Sequence, residues 1–352
     1  MPSLRILSAA EQVADHLREE LGRGVWTGKM PGGAALAREL GIGRMTADAA
    51  LELLEKQGVL ISQGAGRSRT IALSVPKPTS LRVAVLPLLA GDNRLDYILD
   101  IQHRLNEEGH TVAFSDSSIS ELGSDVKRVA KLVEKTPADA WIVIEGPREV
   151  LTWFAERTIP AFALFGRRKG LPIASIGPDK GPAYRLLVRH LLKLGHRRIS
   201  FLTRPVRRLP RPGLSERAFL DEIGRAGIKT GPYNLPNWDG EIDSLDNSLG
   251  SMFRFTPPTA LLVDEPPLFY SVQHHLARRG ILAPQNISLI CTDWDPYFEM
   301  QRPSIAHIRW DSRPWVNRVI RWVNHVSQGK DDCRQSLTKA EFVAGGSIGK
   351  AP

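Results

Sequence analysis

The sequence of 352 residues is poor in cysteine and has no long apolar run. Its two cysteines are too few for a disulfide framework or a zinc cluster, and Cys291 lies in the apolar run 287–291, which indicates a buried strand thiol. The absence of eighteen or more consecutive apolar residues excludes a membrane-spanning helix. The first residues lack the apolar core and cleavage site of a secretory signal. We therefore expect a cytoplasmic protein with no structural metal and no cofactor.

Positive charge is plentiful but is not concentrated at the N-terminus. The chain has a formal net charge of +9, whereas residues 1–75 hold nine basic and eight acidic side chains. Part of the excess lies further on, in a group of arginines at positions 197, 198, 204, 207, 208 and 211. Total charge therefore does not indicate DNA binding by itself, and the placement of individual side chains must decide.

The first seventy residues predict three helices followed by a β-hairpin. Ser8 and Glu11 form a capping-box pattern that opens the first helix. A short helix over 34–40 and a longer one over 44–57 follow, separated by a glycine-containing turn. Two short strands then flank a glycine-bearing loop within 59–71. Helix, helix, tight turn, helix and hairpin is the element order of a winged helix-turn-helix.

The turn between the second and third helices carries the strongest functional signal. A glycine at position 41 lets the two helices cross steeply, so that the next helix can enter a major groove. Arg44 and Thr46 then lie at a helix N-terminus, which favours phosphate. In the hairpin, Gly66, Arg67 and Arg69 make a small basic tip suited to a minor groove or a phosphate. The alternative, a helical hairpin with a surface arginine, is disfavoured by the β-hairpin that follows.

Residues 6–72 resemble the GntR family of regulators. The matching segments are GVW at 24–26, MPGG at 30–33, LA at 36–37, GIGRMT at 41–46 and the run 54–58. The chain departs from the family pattern in two places: Gly43 replaces a serine cap, and Asp48 stands where basic residues are usual. The resemblance implies DNA contacts by Arg38, Arg44, Thr46 and Gly66. Their positions in the turn and at the hairpin tip add four further candidates, Gly43, Met45, Arg67 and Arg69.

The remainder of the chain predicts two βαβ series. Residues 74–80 contain two prolines and have the composition of a linker. From there, short apolar runs alternate with helical patterns over 81–165 and again over 180–292, and each series implies a parallel sheet. Two such lobes leave a cleft between them. Since no nucleotide-binding glycine motif and no catalytic constellation are found, we expect that the protein is not an enzyme.

Residues 81–347 resemble the sensor half of the lactose-repressor (LacI/GalR) family, whose fold is that of periplasmic sugar-binding proteins. The matching segments are HLLKLGHRRI at 190–199, then 258–261, 280–288, 292–294, 303–305 and 342–347. The resemblance implies three chain crossings between the lobes, near Gly177, near Asp311 and before Leu337. The expected units are a head (1–73), a linker (74–80), a first lobe (about 81–177 and 312–330) and a second lobe (about 178–311 and 331–347).

The same resemblance nominates effector-binding residues in the cleft. Asp293 follows a strand that ends at the cleft and would accept hydrogen bonds from sugar hydroxyls. Asp179 either caps the first helix of the second lobe or binds the ligand, and Trp294 either stacks on a sugar or covers the sheet edge. Arg217 lies near the family's cleft arginine, out of register. Arg204 follows a strand directly and would pair with an anionic effector, against the default of a neutral sugar. A solvated rim, a dimer contact and long-range attraction to DNA remain alternatives for such arginines.

These patterns together predict an α/β protein: an N-terminal winged helix-turn-helix plus a two-lobed, periplasmic-binding-protein-like effector domain with two parallel sheets. We expect a homodimeric transcriptional regulator, a repressor, that binds a pseudo-palindromic double-stranded operator and responds to a small-molecule effector, a carbohydrate. One alternative is a transport-type binding protein, which the attached head disfavours. Another is a cytoplasmic sugar- or sugar-phosphate-binding protein or an enzyme with a regulatory DNA-binding head.

Overall fold

The computed structural model describes residues 8–22, 25–26, 28–64, 68–72 and 80–352. The head consists of α1 (Ala9–Gly22), α2 (Gly33–Leu40), α3 (Arg44–Lys56) and the strands β1 (Leu60–Ile61) and β2 (Thr70–Ile71). The two strands pair antiparallel. This is the expected winged helix-turn-helix order.

The capping box and the helix-ending glycine expected in the head are both present in the structure. The Ser8 backbone N–H donates to Glu11 Oε2 at 2.8 Å, and the Glu11 N–H donates to Ser8 Oγ at 3.3 Å, which forms the capping box at the start of α1. Gly41 ends α2 with a φ of 66°, a left-handed conformation that glycine adopts without strain. The helices enclose a small apolar core in which Leu17 and Leu51 are fully buried.

The larger domain is built on a ten-stranded sheet. In chain order its strands are β3 (Arg82–Leu86), β4 (Thr111–Phe114), β5 (Ala140–Ile144), β6 (Ala161–Leu164), β7 (Ala174–Asp179), β8 (Ile199–Leu202), β9 (Ala260–Val263), β10 (Ser288–Cys291), β11 (Ala306–Trp310) and β12 (Gln335–Val343). Their spatial order is β4-β3-β5-β6-β7-β12-β11-β10-β9-β8. Every neighbouring pair is parallel except β11 with β12.

Helices cover the sheet in two groups. They are α4 (Asp96–Glu107), α5 (Val126–Lys135), α6 (Arg148–Ala155), α7 (Gly181–Lys193), α8 (Pro205–Arg208), α9 (Leu214–Arg225), α10 (Ile242–Phe255), α11 (Pro266–Ala277) and α12 (Arg313–Ser327). Strands β3–β7 with α4–α6 and α12 form what we call the first lobe. Strands β8–β11 with α7–α11 form the second lobe. Each lobe has its own apolar cores.

The chain passes between the lobes three times. It leaves the first lobe after β7, and it returns after β11, because α12 buries Trp315 and Trp322 in the core of the first lobe. The third passage runs along β12, whose residues 335–339 pair with β7 while residues 340–343 pair with β11. The two sheets expected from the sequence are therefore joined by one shared strand into a continuous hydrogen-bonded series. None of the helices in the described ranges combines the length and hydropathy needed to cross a bilayer.

Candidate functional site

The N-terminus of α3 is open to solvent in the described head. Its N-cap, Gly43, has an extended backbone and supplies no side-chain cap, so the first N–H groups of the helix are available to a phosphate. Arg44 has 75% of its side chain exposed, and Met45 is 87% exposed. Thr46 is half-buried beside them. The position and exposure of these residues are those that a groove-reading helix requires.

Asp48 is turned towards α2 as well as towards Arg44. Its Oδ2 lies 3.5 Å from Arg44 Nε, one helical turn away. Its carboxylate also fills the space beside Gly33, where a Cβ would come within 1.7 Å of Asp48 Oδ1. Gly33 is the first residue of α2, and a carboxylate is favoured at a helix N-terminus. This contact explains how an acid is accommodated in α3.

The remaining residues proposed to bind DNA divide into three cases. Arg38 is exposed on α2. Arg69 is half-buried, and its Nε lies 2.6 Å from Glu55 Oε1, so this arginine ties the hairpin to α3. Gly66 and Arg67 lie outside the described residues.

A cavity of about 540 Å³ lies between the two lobes. One wall is aromatic: the half-buried rings of Tyr97, Phe165 and Trp310 form its surface, and the fully buried Trp315 packs behind them. Trp310 and Trp315 stack with ring centroids 4.1 Å apart, and the Phe165 ring meets Trp315 edge-on at 4.6 Å. Such rings offer flat apolar surface next to polar groups, which suits the C–H face of a sugar ring.

Asp293 lines this cavity as the sequence led us to expect, and its carboxylate is held from several sides. Its Oδ2 lies 3.1 Å from Lys180 Nζ. Its Oδ1 accepts the Trp294 backbone N–H at 2.8 Å and the Trp310 indole N–H. Because 19% of the Asp293 side chain remains exposed, the carboxylate is a fixed acceptor that a ligand hydroxyl can reach.

The other nominated cleft residues have different positions. Asp179 is exposed and accepts the Gly181 N–H at 3.2 Å, so it caps the start of α7, and it does not line the cavity. Trp294 is half-buried outside the cavity lining. Arg217 is exposed and does line the cavity. Of the two alternatives for Asp179, the structure thus shows the capping contact, and its neighbour Lys180 lines the cavity instead.

Arg204 belongs to a cluster of charged side chains that connects the lobes. Glu145, which follows β5 in the first lobe, lies 3.0 Å from Arg204 and 3.3 Å from Arg207 of the second lobe. Asp264 and Glu265, which follow β9, lie 2.9 Å from Arg207 and 3.2 Å from Arg204 respectively. Arg204 is buried and already has acidic partners, so it is not the free cation that the sequence suggested.

The cluster shifts the pKa values of its acids in opposite directions. Burial opposes ionisation of Glu145, but the guanidiniums of Arg207 and Arg204 hold the pKa of Glu145 below its usual value. For Glu265, burial raises the pKa to about 7, against the nearby charge of Arg204 and in the same direction as the charges of Asp264 and Glu145. Three carboxyl groups thus share two guanidiniums, and Glu265 is the one that gives up its charge most readily.

Several cavity residues were not recognised from the sequence. No sequence motif marks three aromatic residues of the wall, which are Tyr97, Trp310 and Trp315. Each is separated from the others along the chain by a crossing between the lobes or by a long stretch of sequence. Glu145 shows one signal, since it directly follows an apolar strand run, the position where parallel strands present ligand-binding residues.

A winged helix-turn-helix joined to a two-lobed α/β domain with a cavity between its lobes defines a DNA-binding regulator with a ligand-binding domain. Comparisons with known proteins agree with this class. Residues 9–69 match the gntR family of bacterial regulatory proteins, and residues 188–348 match the periplasmic binding protein-like domain. A comparison with curated protein sequences gave no match.

Solved structures of LacI type share the fold of the larger domain. A lac repressor dimer bound to operator and the anti-inducer ONPF is 21% identical, with a TM-score of 0.61 over 77% of this chain and 95% of that one. A LacI family regulator from Enterococcus faecium with bound ribose is 14% identical, with a TM-score of 0.60 over 76% and 99%. A sugar-binding LacI family regulator from Escherichia coli complexed with phosphate is 18% identical, with a TM-score of 0.58 over 77% and 98%.

The protein is accordingly a transcriptional regulator with a gntR-type DNA-binding head and a periplasmic-binding-protein-like domain, and its structural neighbours are LacI family regulators.

Proposed function

We propose that the protein is a repressor whose affinity for operator DNA is set by a carbohydrate effector bound between its lobes. The observation that carries the proposal is the Asp293 carboxylate, fixed by Lys180 and Trp310 beside an aromatic wall. Sugar hydroxyls are donors for such a carboxylate, and the half-buried rings of Tyr97, Phe165 and Trp310 offer surface to the sugar's apolar face. Ribose in the Enterococcus faecium structure supports this choice of ligand class.

The proposed operator is pseudo-palindromic and is bound by a homodimer. The lac repressor structure, a dimer bound to operator, supports this arrangement, because a two-fold dimer matches two half-sites related by the same symmetry. Direct contacts would come from Arg38 and from the open end of α3, with Gly66 and Arg67 in the wing. We keep the unit boundaries expected from the sequence, with the head at 1–73 and the effector domain at 81–347.

The test is whether a sugar changes operator affinity through the cavity. The operator is first selected from random duplexes with the full chain, and its affinity is then measured by fluorescence anisotropy with and without pentoses and hexoses. Asp293→Asn should remove the response and leave affinity without sugar unchanged, because the cavity and the head are separate. Asp100→Asn, an exposed acid on α4, is the matched control. A sugar response that survives Asp293→Asn contradicts the proposed site.

A further inference from the structure

The cavity between the lobes is strongly basic. The basic residues of its lining are Arg148, Arg167, Arg168, Lys169, Lys180, Arg207, Arg211 and Arg217. The acidic ones are Glu145, Glu149, Glu216 and Asp293. The cations are thus twice as numerous as the acids, which is more positive charge than a neutral sugar needs.

Two of the four acids in the lining form ion pairs with two of the cations. Lys180 pairs with Asp293 and Arg207 pairs with Glu145. Burial raises the pKa of Glu216, which reduces the negative charge that this residue contributes. The surplus of positive charge is therefore carried by the other arginines and by Lys169.

Within this surplus Arg167 and Arg168 are half-buried, and Arg168 has the weaker partners, since Arg167 donates to the backbone carbonyls of Val206 and Arg207 at 3.1 and 2.8 Å. Arg168 follows β6 and lines the cavity. Among the described residues no acid pairs with it, and its guanidinium makes one long hydrogen bond, 3.5 Å to the Gly166 carbonyl. Burial lowers its pKa to about 10, so the cation persists at neutral pH at a cost in free energy.

The position of the Arg168 guanidinium depends on Gly177. A Cβ on Gly177 would lie 2.9 Å from one guanidinium nitrogen and 3.0 Å from the Phe165 ring. The guanidinium thus lies against bare backbone, next to an aromatic ring of the cavity wall. A partly desolvated guanidinium beside a ligand-sized cavity is well placed for two parallel hydrogen bonds to a carboxylate or phosphate.

We propose that the effector carries an oxyanion, a carboxylate or a phosphate, and that Arg168 binds it. This inference rests on the proposed function, because it concerns the ligand of the same cavity. The oxyanion contacts Arg168 near the Phe165 end of the aromatic wall, while the hydroxyl groups of the same ligand reach Asp293. A sugar acid and a sugar phosphate share the required chemistry, and a neutral sugar lacks it.

The first experiment uses inorganic phosphate as the probe, on the full chain. Thermal unfolding is followed as phosphate replaces chloride at constant ionic strength. Phosphate should stabilise the protein with a saturable dependence, and Arg168→Gln should remove this effect. Gly177→Ala keeps the charge but displaces the guanidinium, so it should weaken phosphate binding as well. Arg128→Gln, an exposed arginine on α5 without an ion pair among the described residues, is the control.

The second experiment compares matched sugars, each tested as the neutral form, the uronic acid and the phosphate. Calorimetry should show that a charged form binds about tenfold to a hundredfold more tightly than its neutral parent, and Arg168→Gln should abolish that difference. Whichever charged form binds more tightly identifies the source of the oxyanion.

Three results would overturn the proposal: phosphate stabilising Arg168→Gln as much as wild type, no stabilisation by phosphate at all, or a neutral sugar binding as tightly as its charged forms. If a neutral sugar binds and shifts operator affinity, the effector function stands and only the anionic class is wrong.

Discussion

Replacing Glu145 by glutamine should open the cleft, because this residue is the first-lobe partner in the charged cluster. Its two carboxylate oxygens accept from Arg204 at 3.0 Å and from Arg207 at 3.3 Å. Glutamine keeps one acceptor oxygen but presents an NH₂ group to the second guanidinium, which is also a donor. One contact between the lobes is therefore lost and a repulsive one takes its place.

The free-energy cost of Glu145→Gln depends on how far Glu145 is buried and on which acidic partners the two arginines keep. Removing one partner of a fully buried ion pair costs about 3–5 kcal/mol. Glu145 keeps 22% of its side chain exposed, and both arginines retain acids of the second lobe, so we expect about 1–3 kcal/mol. The loss destabilises only the closed arrangement, in which Glu145 contacts the second lobe. The pairs of the two arginines with Asp264 and Glu265 lie within the second lobe and are the same whether the cleft is closed or open. The closed-to-open equilibrium should shift by about fivefold to 150-fold.

The assay is a distance measurement between spin labels, one at an exposed position on α5 and the other on α10. Because Cys333 is exposed, it is replaced by serine before labelling. Wild type should show one dominant short distance, and Glu145→Gln should add a longer population. Glu149→Gln is the matched control, since Glu149 is an exposed acid of the same cavity wall. A Glu145→Gln distribution identical to that of the control would refute the idea that this residue holds the lobes together.

Arg44→Ala should cost about 1–3 kcal/mol of operator binding if it contacts a base or a well-placed phosphate, and a gel shift that shows unchanged affinity would remove it from the interface. Gly33→Ala should destabilise the head, because the new Cβ occupies the place of the Asp48 carboxylate; urea unfolding tests this, with Gly32→Ala, where no atom lies within 4 Å, as the control. Glu265 has a pKa near 7 when folded against 4.5 for the ordinary group. Its contribution to stability is thus full below pH 4.5 and lost as the pH rises through 7. The unfolding free energy should fall over that window by on the order of 3 kcal/mol more than in Glu265→Gln, and equal pH profiles would contradict this assignment.

The element pattern of the chain could be predicted because it depends on local chemistry. Gly41 and the apolar spacing of α3 determine the turn and the buried face of the head, whatever lies elsewhere in the sequence. The alternation of apolar strands and helices likewise implies parallel sheets. By contrast, the sequence of β12 alternates between polar and apolar residues and gives no sign that the strand is central to the sheet. Its role in joining two sheets depends on register with β7 and β11, which local sequence does not encode.

The sequence does not predict which of the charged residues in the cleft form ion pairs with one another. The sequence favours Arg204 as the anion-binding residue because it directly follows an apolar strand run, whereas Arg168 lies further beyond the end of β6. They differ in the structure because the partner of Arg204, Glu145, comes from the other lobe, whereas Arg168 lies against Gly177 and Phe165. Which arginine is paired and which is available depends on contacts between residues far apart in the chain, and these appear only when the lobes are assembled.

The aromatic wall also suggests how a ligand in the cavity could act on the arrangement of the lobes. Trp310 is the last residue of β11 in the second lobe, and Trp315 lies in the first turns of α12 in the first lobe. The two indoles stack across the chain passage that separates them. Trp315 is fully buried behind Trp310. A ligand packed on this wall therefore contacts Trp310 of the second lobe together with Tyr97 and Phe165 of the first. It lies next to Asp293, to which Trp310 donates its indole N–H. Ligand binding and lobe closure thus involve the same residues. A coupling free energy of about 1–3 kcal/mol, typical of linked sites, can therefore arise from these direct contacts alone within this domain.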